Sequence, residues 1–122
     1  MKWTKADRRR VWSAVSTWEL CHSPPPAAYG APNRVTCPEG REVEAAAWGL
    51  STLIALGEER ADKNEAFVEH LKTHPEVYRD STPELIDRFT KLARDDRRGV
   101  KRLRALIERL KAEGMPPRID LC

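Results

Sequence analysis

Apolar residues recur along this chain at helical rather than strand spacing. The first stripe consists of Val11, Trp12, Val15 and Trp18. Residues three and four positions apart lie on one face of a helix, so this spacing predicts an amphipathic first helix. Thr4 is placed to cap its start, and the pattern ends near Leu20.

The middle of the chain predicts a buried second helix. Residues 43–57, "VEAAAWGLSTLIALG", are apolar nearly all round, which is typical of a helix packed on several sides. We expect this helix to begin near Pro38, an early helical position that suits proline, and to end at Gly57. Val43–Leu56 should be the most buried helical segment, so that Trp48→Asp would unfold the protein.

The C-terminal half predicts a third helix and then the most regular segment of the chain. Asp62 and Glu65 resemble a cap pair for the third helix, which Pro75 would stop. Residues 83–113 then follow one alternating three-four register, which favours a single helix over two helices that meet at residues 95–99, "DDRRG". The apolar positions of that register are Ile86, Phe89, Ala93, Val100, Leu103, Ile107 and Leu110.

These elements predict an all-α protein, because no segment shows the alternation of a strand. We expect a compact bundle of four to six helices that forms a single helical domain over residues 1–122. Five of the nine prolines lie in residues 21–38, which predicts a long proline-rich loop after the first helix. Residues 115–122 follow Gly114 and contain Pro116 and Pro117, so an extended tail is predicted there.

Composition places the protein in a reducing, aqueous compartment. The start is charged and lacks the apolar run of a signal peptide, and no segment is long and apolar enough to span a bilayer. Three cysteines without a secretory signal fit the same compartment. A soluble, cytoplasmic protein with no membrane partner is therefore expected.

The net charge of +3 is unevenly distributed along the chain. Residues 1–36 carry six basic and two acidic side chains, residues 37–90 carry six and twelve, and residues 91–122 carry ten and five. An acidic middle between basic ends is the kind of asymmetry that orients a protein on a polyanion.

Residues 91–111 carry nine basic side chains and three acidic ones, although exposed helical faces normally mix the two signs. The basic residues project away from the leucine seam on a helical wheel, so we predict that they bind a nucleic-acid backbone without reading bases. Three consecutive arginines in the first helix extend the prediction. The predicted contact residues are Arg8, Arg9, Arg10, Arg94, Arg97, Arg98, Lys101, Arg102 and Arg104.

Residues with metal-binding or catalytic chemistry are few. Cys21, His22 and Cys37 are zinc-type ligands, but their spacing matches no compact zinc finger, so no metal and no other cofactor is predicted. His70 and His74 share a helix face without the glutamate that follows the first histidine in zinc proteases. No phosphate-binding glycine loop and no nucleophile motif occurs, and we expect a protein that is not an enzyme.

The small-residue central helix, "EAAAWGLSTLIALGEE", between basic flanks resembles the small subunits of CRISPR effector complexes. The resemblance concerns the overall layout, and no residue is carried over from it. It implies an all-helical subunit whose copies stack along the guide RNA backbone of larger subunits and contact the target strand without base specificity. The expected partners are therefore RNA or single-stranded DNA backbone, larger protein subunits and copies of the chain itself.

Two other classes of protein fit the same features. A phage or plasmid assembly protein, such as a small terminase subunit or a head-completion factor, would also be helical, charged and non-enzymatic. A DNA-binding regulator would need a helix-turn-helix, for which residues 95–99 are a poor junction because no Asn or Gln follows to read bases.

Overall fold

The computed structural model describes residues 2–23 and 35–118, and the α-helices there confirm the all-α prediction. Helix α1 spans Lys5–His22, α2 spans Glu42–Thr73 and α3 spans Thr82–Glu113, with a 3-10 turn at Arg79–Ser81 before α3. These residues contain three α-helices rather than the expected four to six, and no strand. None of these helices combines the length and apolarity needed to cross a membrane.

The helix count is lower because α2 joins the predicted second and third helices. Gly57 does not end α2 but lies inside it, where a Cβ would come within 2.8 Å of Val100 Cγ2. Asp62 and Glu65 do not cap a new helix, since both carboxylates bind Arg97 on α3. The glycine therefore marks a close approach of two helices and not a terminus.

Helix α3 is uninterrupted, as the single apolar register predicted. Residues 95–99 lie inside it, so the junction considered for a helix-turn-helix contains no turn. Gly114 ends the helix as expected, with φ +82° and an N–H that donates to the Leu110 carbonyl at 2.9 Å. Residues 114–118 have no regular secondary structure, and residues 119–122 of the predicted tail lie outside the described part.

The segment around the predicted proline-rich loop begins and ends differently from expectation. Thr4 caps α1 through an Asp7 N–H to Thr4 Oγ1 bond of 3.1 Å, but the helix continues past Leu20 to His22. Residues 24–34 of the predicted loop lie outside the described residues. Helix α2 starts at Glu42 rather than near Pro38, because a turn with Gly40 at φ +87° precedes it.

The chain divides into two compact units. Unit 1 comprises Met1–Thr52 and Arg104–Cys122. In this unit α1 and α2 approach so closely that a Cβ at Gly49 would collide with the Ala14 carbonyl. Its buried apolar side chains are Val11, Ala14, Val15, Ala45, Ala46, Leu50, Leu106 and Leu110.

Unit 2 comprises Leu53–Leu103 and is a helical hairpin. Its hydrophobic core includes Ile54, Ala61, Val68, Leu71, Ala93 and Val100. Near the connection between the helices, the buried Thr82 hydroxyl donates to the Pro75 carbonyl at 3.0 Å. This bond satisfies a polar group that would otherwise be costly to bury.

The segment Val43–Leu56, predicted as the most buried helical segment, contains the buried side chains of Ala45, Ala46, Leu50 and Ile54, but not all of its apolar side chains are buried. Trp48 is 39% exposed, Leu53 42% and Leu56 51%, whereas Leu50 is fully buried. The prediction that Trp48→Asp unfolds the protein assumed a buried tryptophan, and Trp48 is partly exposed.

Candidate nucleic-acid interface

The three consecutive arginines of α1 do not form a common basic face. Successive residues of a helix point roughly 100° apart, so a run of three is spread around the axis. Arg10 lies 3.7 Å from Asp7, and the buried Nε of Arg8 has no hydrogen-bond partner within residues 2–23 and 35–118. Arg9 is exposed and borders a cavity of unit 1. The predicted binding role of this run is therefore not supported by a shared surface.

Arg97 was predicted to face a nucleic acid but faces α2 instead. Its Nη2 lies 2.6 Å from Asp62 Oδ1, and its Nε lies 3.0 Å from Glu65 Oε1. Hydrogen bonds to Glu65 and Asp62 raise the pKa of the Arg97 guanidinium above its usual value. The bidentate pairing makes Arg97 part of the contact between the two helices of unit 2.

A second ion pair joins α2 and α3 within unit 2. Arg60 Nη2 on α2 lies 3.3 Å from Asp96 Oδ1 on α3. Asp96 and Arg97 point roughly 100° apart and lie on either side of the buried stripe that includes Ala93 and Val100. Burial of that stripe determines how α3 is rotated within unit 2, and the two largely exposed ion pairs add to the contact along its flanks. Asp96 is an acidic residue in the apolar register, and its carboxylate pairs with Arg60 at the edge of the helix contact.

The rotation directs five cations of unit 2 to solvent, and we call them the outer α3 face. They are Lys91, Arg94, Arg98, Lys101 and Arg102. All five are exposed, and among the described residues none of the five takes part in an ion pair. They occupy roughly 100° of the helix circumference and extend over about 16 Å of its length. Asp95 lies roughly 20° beyond one edge of this face, and the exposed Asp87 lies on the same side of α3 about one turn before Lys91.

The α2 helix opposite contributes no comparable excess of free negative charge. Glu59 Oε1 lies 3.0 Å from Lys63 Nζ, and Glu69 Oε1 lies 3.9 Å from Lys72 Nζ. Asp62 and Glu65 are held by Arg97. Most of the acids of α2 in unit 2 are thus balanced within the protein, while the cations of the outer α3 face are not.

The basic residues of α3 in unit 1 are engaged in contacts of their own. Arg109 Nε lies 2.6 Å from Glu113 Oε2, and its guanidinium stacks 3.8 Å from the Trp3 ring. Lys111 Nζ lies 3.6 Å from Glu108 Oε1. Arg104 is exposed but already takes part in an interaction within the protein. The basic surface that the sequence predicted over residues 91–111 is therefore available mainly at residues 91–102.

Cys21, His22 and Cys37 lie in unit 1 as separate groups. Both cysteines are free thiols, and His22 stacks on Trp18 with ring centroids 4.3 Å apart. Burial raises the pKa of the Cys37 thiol above its usual value, and the carboxylates of Glu42, Glu19 and Glu44 raise it further. Within residues 2–23 and 35–118, no three side chains are arranged to hold a metal ion.

The histidine pair lies at the end of α2. The rings of His70 and His74 stack with centroids 4.7 Å apart, and His74 Nδ1 lies 2.9 Å from Thr73 Oγ1. His70 also stacks on Phe67 at 6.4 Å. The two imidazoles thus pack against neighbouring groups near the helix terminus.

A cavity of about 430 Å³ in unit 1 was not foreseen from the sequence. Trp12 forms part of its wall, and the Trp12 Nε1–H donates to the carbonyls of Pro116 and Pro117 at 3.3 and 3.2 Å. Glu19 is also committed, because its Oε2 accepts from the Cys37 N–H at 2.8 Å. Contacts between residues more than 100 positions apart leave no local signal that could have indicated this cavity.

Comparison with known proteins found no matching family model, no matching curated protein and no matching solved structure. The candidate function is therefore inferred from the geometry and charge of the outer α3 face.

Proposed function

We propose that this protein is a non-catalytic helical subunit that binds a nucleic-acid backbone within a larger ribonucleoprotein assembly, as the small subunits of CRISPR effector complexes do. The observation that carries the proposal is the outer α3 face. Five exposed cations on one side of a helix, without carboxylate partners, form a surface that phosphates neutralise well.

The chemistry of the face supports sequence-tolerant binding. Arg94, Arg98 and Arg102 present planar guanidinium forks that suit phosphate oxygens, and the lysines add point charges. No Asn or Gln occurs in residues 91–102, so the amide side chains that commonly read adenine are missing from the face. Such contacts position a backbone and carry little base information.

Exposed apolar side chains support the part of the proposal that concerns protein neighbours. Leu53 and Leu56 lie three residues apart on α2 and are 42% and 51% exposed in unit 2. At the hairpin connection, Val77 is 56% exposed. A subunit held by larger proteins would cover such side chains, so they are positions at which the proposed contacts with neighbours can be tested.

The test is a charge reversal on the outer α3 face. Arg94→Glu, Arg98→Glu and Lys101→Glu together should leave the helical content unchanged, because all three side chains are exposed. Affinity for a nucleic acid should fall steeply, and the slope of log affinity against log salt should flatten by roughly three. Binding is measured by fluorescence anisotropy at two salt concentrations, and folding by circular dichroism.

A matched control changes the net charge equally at exposed positions outside the face. Lys63→Glu, Lys72→Glu and Arg88→Glu also remove three cations and add three anions. The control should retain most of the affinity and the salt slope of the wild type. Equal affinities for the face variant and the wild type would refute the proposal and favour a phage or plasmid assembly protein. Equal losses in both variants would show that only net charge matters.

A further inference from the structure

Unit 2 has an apolar side in addition to its buried core, and we call this side the open face. Its residues recur along each helix at spacings of three, four and seven, which is the heptad spacing of helices that pack side by side. The α2 residues of the open face are Leu53, Leu56, Arg60 and Phe67. The α3 residues are Leu85, Phe89, Leu92, Asp96 and Leu103. Each row therefore predicts a helical neighbour beyond the other helix of the hairpin.

An ion pair places the two rows on one side of the hairpin. Arg60 Nη2 lies 3.3 Å from Asp96 Oδ1 across the two helices. Leu56 precedes Arg60 by four residues, so both lie on the same face of α2. Leu92 precedes Asp96 by four residues on α3, with the same consequence. The leucines of both helices therefore belong to one surface.

Much of the open face is accessible to water. Leu53, Leu56 and Leu92 are each at least 41% exposed. Phe67 and Phe89 meet at a ring-centroid distance of 4.8 Å, yet both are only half-buried. Since burial of apolar surface stabilises by about 25 cal/mol per Å², a helical neighbour on this face would be stabilising.

The charges of the open face favour a second copy of the same chain as that neighbour. Arg60 and Asp96 pair with each other, and Lys63 at the edge of the face lies 3.0 Å from Glu59. Because these charges are balanced in pairs, two copies can meet without opposing unpaired like charges. A strongly acidic or basic partner would find no matching excess here. The outer α3 face, by contrast, would repel its own copy.

The dimensions of the open face fit a second hairpin. Residues 53–73 of α2 span roughly 30 Å, and two adjacent helices are roughly 20 Å wide, which gives a footprint of about 600 Å². A specific protein–protein interface buries about 800 Å² on each partner, which is the same order of size. Two hairpins that meet through such faces form a four-helix bundle, whose heptad-spaced apolar residues point to its centre.

We infer that the open face of unit 2 binds the open face of a second copy of this chain, so that the two hairpins form a four-helix bundle. The inference goes beyond the proposed function and does not depend on it. Leu92 and the centre of the outer α3 face point roughly 130° apart around α3, so the outer α3 faces of both copies stay exposed in the dimer.

Leu56→Glu with Leu92→Glu tests the inference in the full-length protein. Both side chains are exposed in the single chain, so the variant should keep its helical content by circular dichroism. Burial of the new carboxylates between two copies is strongly unfavourable. By size-exclusion chromatography with light scattering, the wild type should have twice the mass of one chain and the variant the mass of one chain.

Leu20→Glu with Val77→Glu is the matched control, because it also replaces two exposed apolar side chains with carboxylates, but outside the open face. The control should remain a dimer. A dimeric Leu56→Glu, Leu92→Glu variant would overturn the inference, as would an equal loss of dimer in the control.

A measurement on the wild type requires no variant to fold. Since a dimer is stabilised by mass action, the urea midpoint should rise over about a hundredfold increase in protein concentration. A constant midpoint with the mass of one chain would overturn the inference and favour helices of another protein on the open face. The triple charge reversal on the outer α3 face should dimerise like the wild type, so failure of the proposed function and failure of this inference are distinguishable.

Discussion

Arg10 and Arg109 in unit 1 contact other side chains of the protein, whereas most of the guanidinium groups on α3 in unit 2 point to solvent. Arg10 pairs with Asp7, and Arg109 is held by both Trp3 and Glu113. In unit 2, by contrast, Arg97 pairs with Asp62 and Arg60 pairs with Asp96 across the two helices, while the neighbouring cations of α3 are exposed. A basic side chain is available for binding only where it lies outside the helix–helix contact.

The helix contacts in the two units also differ, and glycine substitutions should show this with the largest effect. Gly49→Ala in unit 1 places a Cβ against the Ala14 backbone carbonyl, which cannot move without displacing α1. We expect a loss of about 3 kcal/mol in the free energy of unfolding. Gly57→Ala in unit 2 meets only the Val100 side chain at 2.8 Å and should cost about 1 kcal/mol.

Gly99→Ala provides the matched control for this pair. Nothing lies within 4 Å of a Cβ at Gly99, so the variant should gain about 1 kcal/mol from the better helix propensity of alanine. Urea denaturation of the three variants measures the differences. Equal costs for Gly49→Ala and Gly57→Ala would contradict the closer approach assigned to unit 1.

Alanine variants of the adjacent Arg97 and Arg98 should differ: one should lower the stability of the protein, and the other should weaken nucleic-acid binding. Arg97→Ala removes the contacts with Asp62 and Glu65, so the urea midpoint should fall, and the loss should shrink at high salt because both groups are exposed. Arg98→Ala should leave the midpoint unchanged and flatten the salt slope of nucleic-acid binding by roughly one.

The same assays on both single variants check this assignment. Arg97→Ala should keep the wild-type salt slope, since its guanidinium is committed to α2. If both variants lost stability or affinity to the same extent, the distinction between helix contact and outer face would be wrong.

The smallest effect concerns the thiols of unit 1. Two variants, both with Cys122 replaced by serine, each keep one thiol: Cys21→Ser keeps Cys37, and Cys37→Ser keeps Cys21. At pH 8 Cys37 should react with iodoacetamide several-fold more slowly than Cys21. Burial and three nearby carboxylates raise the pKa of Cys37, so less of it is thiolate at that pH. The Cys37 rate should rise further as the pH increases, and Glu42→Gln should accelerate it. Equal rates for the two thiols would contradict the packing around Cys37.

Sequence reasoning succeeded where one local period decides the outcome. The three-four register of residues 83–113 predicted one helix, and Gly114 and Thr4 predicted caps that the structure contains. The class of fold follows from the same periodicity. These features depend on residues a few positions apart, so no distant partner is needed to determine them.

The sequence predicted a helix end at Gly57 and a new helix start at Asp62 and Glu65, but tertiary contacts place all three residues inside α2. Gly57 lies within α2 because Val100, 43 positions away, occupies the space beside it. Asp62 and Glu65 act as partners of Arg97 rather than as caps. A glycine that permits close packing and a glycine that ends a helix look alike in a sequence.

For the candidate site, the sequence alone determined that a basic stripe would lie along the last helix, because the spacing of its cations and leucines is periodic. Which cations remain available was decided by the tertiary structure. Arg97 and Arg98 are neighbours in the chain and both are exposed, yet Arg97 pairs with α2 and Arg98 forms no ion pair with the described residues. The reason is that a helix can rotate about its axis, and the packing of its buried stripe, here with Ala93 and Val100, determines which way each side chain points. That rotation places Arg97 beside Asp62 and Glu65 of α2 and leaves Arg98 outside the contact.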